Sequence, residues 1–226
     1  MSMMRLRWKT PATAYPNKRV GKARIFKYRC PVRDTYWAEG MKGYLYYRFE
    51  PGHNRITQLS INGQCWMTDM PPYFWSMEHF AEQSHGHVLV AGLGLGLVVH
   101  CLAKNPTVES ITVIEREPDV IKLIKPLLPK DMSIKIINAD FYEWMERDRL
   151  QRDVVIWDLG LWGLPEDGGE RHGWPEVFII KFKVADKYGD DCKCFRHGLD
   201  RDPAGAEFIK TERYKRARES LYPGVI

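Results

Sequence analysis

Apolar residues recur at two different periods along this chain, and the change falls near residue 84. Before it, alternating or aromatic-rich stretches predict strands over residues 23–30 and 44–49. A third strand, 55–62, runs into Asn62-Gly63, the dipeptide favoured in two-residue hairpin turns, so residues 64–68 are predicted to return antiparallel. Pro71 and Pro72 end that strand, and residues 73–83 follow as a helix with Phe74, Met77 and Phe80 on one stripe. From residue 87 the pattern becomes strict alternation. Strands are predicted over 88–91, 110–115, 133–138 and 154–158, with helices over 95–104, 118–128 and 141–147 between them. Alternation of this kind implies parallel pairing through right-handed crossovers, and hence an α/β fold with a doubly wound, mostly parallel sheet. Two domains follow: a basic arm plus a small β-rich N-terminal domain (1–84), and a doubly wound domain with an irregular C-terminal part (85–226). In that part, 160–174 reads as a loop, 176–185 as a strand, 188–191 as a turn and 192–196 as an antiparallel return strand. Asp202-Pro203 then opens a helix reaching about residue 221.

Composition narrows the picture. The 226 residues are 44% hydrophobic and 28% charged, as in soluble globular proteins, and no run of 18 apolar residues suggests a membrane span. The first ten residues are basic without an apolar segment, so no secretory leader is read there. Five cysteines at irregular spacing argue against a disulfide framework, and the expected compartment is the cytoplasm. Cys192, Cys194 and His197 fit no zinc spacing, and no metal site is expected. The net charge of +5 is uneven: residues 1–33 hold ten Lys or Arg and no acid, with Trp8, Tyr15, Phe26 and Tyr28 interleaved. Such a segment suits a phosphate backbone with stacked bases, which makes nucleic acid a candidate partner. A solvated basic arm with one edge strand explains it equally simply, and is the favoured reading.

The candidate chemistry begins at Gly92-Leu-Gly94-Leu-Gly96, between the first strand and helix of the alternating region. A turn this tight, open to a ligand, needs glycine, and the helix behind it presents N–H groups. Glu115 ends the next strand, 23 residues after Gly92, where an acid accepts ribose hydroxyls. Asp140 follows the third strand and Asp158 ends the fourth, so all these groups fall at the carboxyl ends of strands, where open α/β sheets bind ligands. Asp140 also suits the N-cap of the following helix.

From about residue 55 to residue 158 the chain resembles the spermidine synthase family, a branch of the class I S-adenosylmethionine-dependent methyltransferase superfamily with a Rossmann-like fold. Leu59-Ser-Ile-Asn-Gly63-Gln64, followed by Asp69 and Glu78, resembles the family's hairpin segment; residues 106–121 resemble its second strand and helix. The resemblance implies a β-hairpin domain ahead of a nucleotide-binding fold, a homodimer through the N-terminal domain, and a small-molecule acceptor. It assigns Gly92, Gly94 and Gly96 to the donor, Glu115 to its ribose, Asp140 to its adenine amino group and Phe141 to the adenine face. Two positions depart from the family. Leu95 stands where its glycine loop carries an Asp, and Asp158-Leu-Gly-Leu161 replaces its Asp-Ser-x-Asp.

Those missing acids lead to a reading of methyl transfer from S-adenosylmethionine to a nucleic acid or small molecule, because an attacking amine needs a carboxylate to position it. Asp158 is the first catalytic candidate and also a cofactor-binding one, placed to hold the donor's methionine amino group or to orient an acceptor. Lys181, in Ile179-Ile-Lys-Phe-Lys183, resembles the strand lysine of RNA ribose 2′-O-methyltransferases and is the second; Trp157, Trp162 and Trp174 surround the intervening loop. Aminopropyl transfer from decarboxylated S-adenosylmethionine is the alternative, and a non-catalytic nucleotide-binding scaffold the third reading.

Overall fold

The computed structural model describes residues 4–40, 43–157, 184–189 and 191–195. Strands β1 (Met4–Leu6), β2 (Lys18–Val20), β3 (Ala23–Arg29), β4 (Tyr36–Gly40), β5 (Gly43–Phe49), β6 (Arg55–Ile61) and β7 (Gln64–Thr68) build two small sheets. One is antiparallel, in the order β2-β3-β6-β7; the other, β1-β5-β4, pairs β1 parallel to β5. The hairpin between β6 and β7 turns at Asn62 (φ 51°) and Gly63 (φ 82°), the two left-handed residues that the dipeptide supplies. Pro71 and Pro72, which end the strand, also open helix α1 (Pro71–Glu82), where their missing N–H groups would have had no intrahelical partner. Phe74, Met77 and Phe80 are buried along it, as their spacing requires.

The alternating region then delivers β8 (Gly86–Ala91), α2 (Leu97–Leu102), β9 (Val108–Glu115), α3 (Pro118–Ile124), β10 (Ile134–Asn138), α4 (Phe141–Arg147) and β11 (Val154–Trp157), with β12 (Lys193–Phe195) last. Their order is β10-β9-β8-β11-β12, and every pair is parallel. The last strand corrects an expectation. Residues 192–196 read as an antiparallel return, but Val154 lies opposite Lys193 and Ile156 opposite Phe195 in parallel register. Residues 184–188 are helical, so residues 184 and 185, expected in a strand, precede β12 as part of a crossover like the others. The remainder of that strand, the loop 160–174 and the helix from 202 lie outside the described residues.

Both faces of the parallel sheet are covered, so its strands are near-continuous apolar runs. Val88, Val90, Ile111, Val113, Val154 and Ile156 face α1, α2, α3 and the small sheets. Leu89, Ala91, Ile114, Val155 and Trp157 face the other way, onto Phe141, Met145, Val184 and Tyr188. Beneath that second layer sits a buried ion pair. Arg152 Nε donates to Asp148 Oδ2 at 2.8 Å, Arg152 Nη1 donates to Thr112 Oγ1 at 3.0 Å, and the Tyr188 hydroxyl donates to Asp148 Oδ2 at 3.0 Å. Burial raises the Asp148 carboxyl, but Arg152, the Leu150 N–H and Tyr188 outweigh it and hold the group below the usual carboxylate range. Among the described residues no helix is long and apolar enough to cross a membrane.

Candidate functional site

Strand order reverses between β8 and β11, and open α/β sheets bind ligands outside the carboxyl ends of strands at such a point. The register sets those ends level. Asn138 pairs with Glu115, Ala91 with Ile114, and Trp157 with Ala91. Asn138 Nδ2 fastens the β9 and β10 ends by donating to the Glu115 and Arg116 carbonyls at 2.8 and 2.9 Å.

The loop after β8 holds Gly92, Gly94 and Gly96 at φ 87°, 51° and 70°. At Gly94 the left-handed conformation and a neighbour act together: a Cβ there would fall on the sulfur of Met67, from β7. Leu95 N donates to that same sulfur at 3.2 Å. Glu115 is buried (6% exposed) and its carboxylate ties the loop to the next strand. Oε2 accepts from Leu93 N and Oε1 from Glu117 N, both at 2.8 Å. Leu95 faces the core and is fully buried.

Below the loop, Asp140 is the N-cap of α4: Oδ1 accepts from Tyr142 N at 2.9 Å and from Glu143 N at 3.3 Å. Phe141 sits next to it but turns into the second core layer, 3% exposed. Asp158, Lys181, Leu161, Trp162 and Trp174 lie outside the described residues.

Residues from the N-terminal side pack around the loop and behind it; of these only Asp69 falls in a segment that the family resemblance marked. The buried Tyr15 hydroxyl donates to the Leu95 carbonyl at 3.1 Å and is 2.8 Å from His100 Nε2. Burial raises the Tyr15 phenol and lowers His100. Fully buried Asp69 accepts from Thr10 Oγ1 and Thr57 N, both at 2.6 Å, and Trp8 Nε1 donates to its carbonyl at 3.0 Å. Desolvation nevertheless pushes the Asp69 carboxyl above its ordinary range. Trp8 and Tyr15 are thus interior residues, so two of the four aromatics in the basic arm are not presented for base stacking. Just before β12 the Cys192 thiol is pushed up to about 11 by burial and by Asp153. Among the described residues no group of three His, Cys, Asp or Glu side chains could hold a metal.

Residues 71–161 match the family model described as the spermine/spermidine synthase domain. Polyamine aminopropyltransferase 1 of Streptomyces coelicolor is 28% identical over 114 residues, covering 45% of this chain and 22% of that protein. The polyamine aminopropyltransferase of Leptospira interrogans is 28% identical over 116 residues, covering 45% of this chain and 23% of that one. The chain spans between a fifth and a quarter of the length of these relatives. Among solved structures it is similar to the spermidine synthase of Thermotoga maritima, with a TM-score of 0.34 and 14% identity over 55% of each chain. A spermidine synthase in complex with the transition-state analogue AdoDATO has the same TM-score and identity, over 55% of this chain and 54% of that one. These relatives overturn the expectation of a methyltransferase with S-adenosylmethionine as methyl donor, because they are named for polyamine aminopropyl transfer. Within that match the described residues, 71–157, form an α/β fold with a parallel sheet, which is consistent with a spermidine synthase-like domain.

Proposed function

We propose that this chain transfers an aminopropyl group from decarboxylated S-adenosylmethionine to an acceptor of the diamine or polyamine class. The match of residues 71–161 to the spermine/spermidine synthase domain carries the reading. The clamped glycine loop at the carboxyl edge of the sheet supports it.

In this reading Gly92, Gly94 and Gly96 let the donor approach the loop backbone. Both Glu115 oxygens already accept one backbone N–H, and each has a second lone pair for a ribose hydroxyl. Asp140 Oδ1 is committed to the helix cap, so Oδ2 is the atom that meets an adenine amino group. Phe141 backs the adenine subsite from within the core. The reaction is a displacement. The lone pair of the acceptor amine attacks the aminopropyl carbon bound to the sulfonium, and the C–S bond breaks. Its electrons return to sulfur, methylthioadenosine leaves, and the new ammonium gives up a proton. The sulfonium supplies the reactivity, so the protein's tasks are alignment and proton removal. Leu95 is buried and offers no carboxylate to the acceptor. That role passes to Asp158, which follows Trp157 in the sequence.

The test is direct. The chain is incubated with decarboxylated S-adenosylmethionine and 1,4-diaminobutane or longer polyamines, and methylthioadenosine and the extended amine are separated by chromatography. Amine-dependent formation of both supports the proposal. Bound donor without either product, or methylation from S-adenosylmethionine instead, overturns it.

A further inference from the structure

The two forms of the adenosyl donor differ by one carboxylate, on the tail beyond the sulfonium. A loop that takes the carboxylated form needs uncommitted N–H groups and open space for an anion. Here four of the N–H groups, those of Gly92, Leu93, Leu95 and Gly96, are occupied, and Met67 lies over the fifth residue, Gly94. Gly92 N donates to the Ile114 carbonyl at 2.8 Å, Leu93 N to Glu115 Oε2 at 2.8 Å, Leu95 N to Met67 Sδ at 3.2 Å and Gly96 N to the Leu93 carbonyl at 2.8 Å. One of those acceptors is itself an acid, buried against the loop. Met67 also fills the space a Cβ on Gly94 would need. Its thioether is a weak acceptor and an adaptable apolar filler. An anionic tail would have to displace it, whereas a tail lacking the carboxylate has only methylenes and an ammonium to place.

We propose that Met67 is a specificity residue that excludes the carboxylated donor by covering Gly94 and occupying the Leu95 N–H. The inference rests on the proposed use of this loop by an adenosyl sulfonium. Of the residues bonded to the loop, Met67 reaches it from a different sheet, so it can be changed without altering β8, β9 or the loop itself.

The experiment is calorimetric titration of the wild-type chain and of Met67→Ala and Met67→Val with decarboxylated S-adenosylmethionine and, separately, S-adenosylmethionine. Valine brings a β-branched side chain suited to a strand while failing to reach Gly94, and circular dichroism melting selects the variants that fold. The wild type is expected to prefer the decarboxylated donor. In either folded variant the ratio of dissociation constants should narrow by about tenfold, mainly through tighter binding of S-adenosylmethionine, as restoring one charge-assisted hydrogen bond would give. A ratio unchanged within about twofold in a folded variant overturns the inference alone, as does a wild type that binds both donors equally. Binding of neither donor to the wild type overturns both this inference and the proposed function.

Discussion

Glu115→Ala is the substitution whose cost can be worked most directly from the structure. The carboxylate accepts two backbone N–H groups at 2.8 Å, one in the glycine loop and one just past β9, and is 6% exposed. Hydrogen bonds to a charged group contribute roughly 1.5–3 kcal/mol each, so the gross loss is about 3–6 kcal/mol. Two effects reduce it: the carboxylate no longer has to be desolvated, and the Glu117 N–H is near enough to the surface to recover a water. A net cost of about 2–4 kcal/mol remains, much of it the Leu93 N–H left without its acceptor. In urea titration this should appear as a lower midpoint at unchanged slope, and in calorimetry as a melting temperature lower by about 5–15 °C. Glu115→Gln keeps one acceptor oxygen but points an amide N–H₂ at the other donor, so it should fall between wild type and alanine. A Glu115→Ala protein within about 0.5 kcal/mol of wild type would refute the view that this acid clamps the loop.

Other substitutions test neighbouring parts. Gly94→Ala must adopt a left-handed conformation costing roughly 1–2 kcal/mol and also meets the Met67 sulfur, so Met67→Ala should recover part of the loss in a double-mutant stability cycle. Arg152→Ala leaves Asp148 buried without its cation and should cost about 3–5 kcal/mol by chemical denaturation, whereas breaking a solvent-screened pair such as Arg7–Glu50 should leave the denaturation midpoint nearly unchanged. The acids Asp148 and Asp69 should act on pH dependence in opposite senses. Asp148 is held low, so its contribution is present above the unfolded-state value and lost as pH falls through the folded one; Arg152→Ala should flatten that acid limb. Asp69 is held high, so its native state binds the proton more readily and stability declines as pH rises from the unfolded-state value through the folded one. Asp69→Asn, whose amide can donate to the Thr10 hydroxyl, should remove that decline in melting temperature measured across the acid range; persistence of the decline would show that another group causes it.

The sheet was legible in the sequence because each strand and helix carries its own period, and because Asn62-Gly63, Pro71 and Pro118 mark boundaries through backbone geometry alone. The direction of β12 was not legible. Three residues fix no orientation, and the crossover through residues 184–188 sets it instead. Within the site, glycines and strand-end acids follow local rules, and their placement at one sheet edge was foreseeable. Which atoms they bond was not: Glu115 turns to the loop, Asp140 to its own helix and Phe141 to the core. Tyr15 and Met67 carried no signal, because their contacts with the loop lie 80 and 28 positions away. Leu95 misdirected the functional reading. Its place in the glycine motif suggests a substrate contact, yet in this chain it is a core side chain, and a sequence does not state which way a loop residue points.

The bond from Tyr15 to Leu95 has a kinetic counterpart. It joins residues 80 apart, Tyr15 meets His100 across 85, and the Lys22 N–H reaches Asp119 across 97. Contacts of such separation close large loops before they return any stabilisation, which places them late in folding and slows the whole. The hairpin of β6 and β7 and the adjacent β8 and β9 form from nearer neighbours. The segment around Tyr15 must wait for them, so the glycine loop gains its last support only when the rest of the chain is in place.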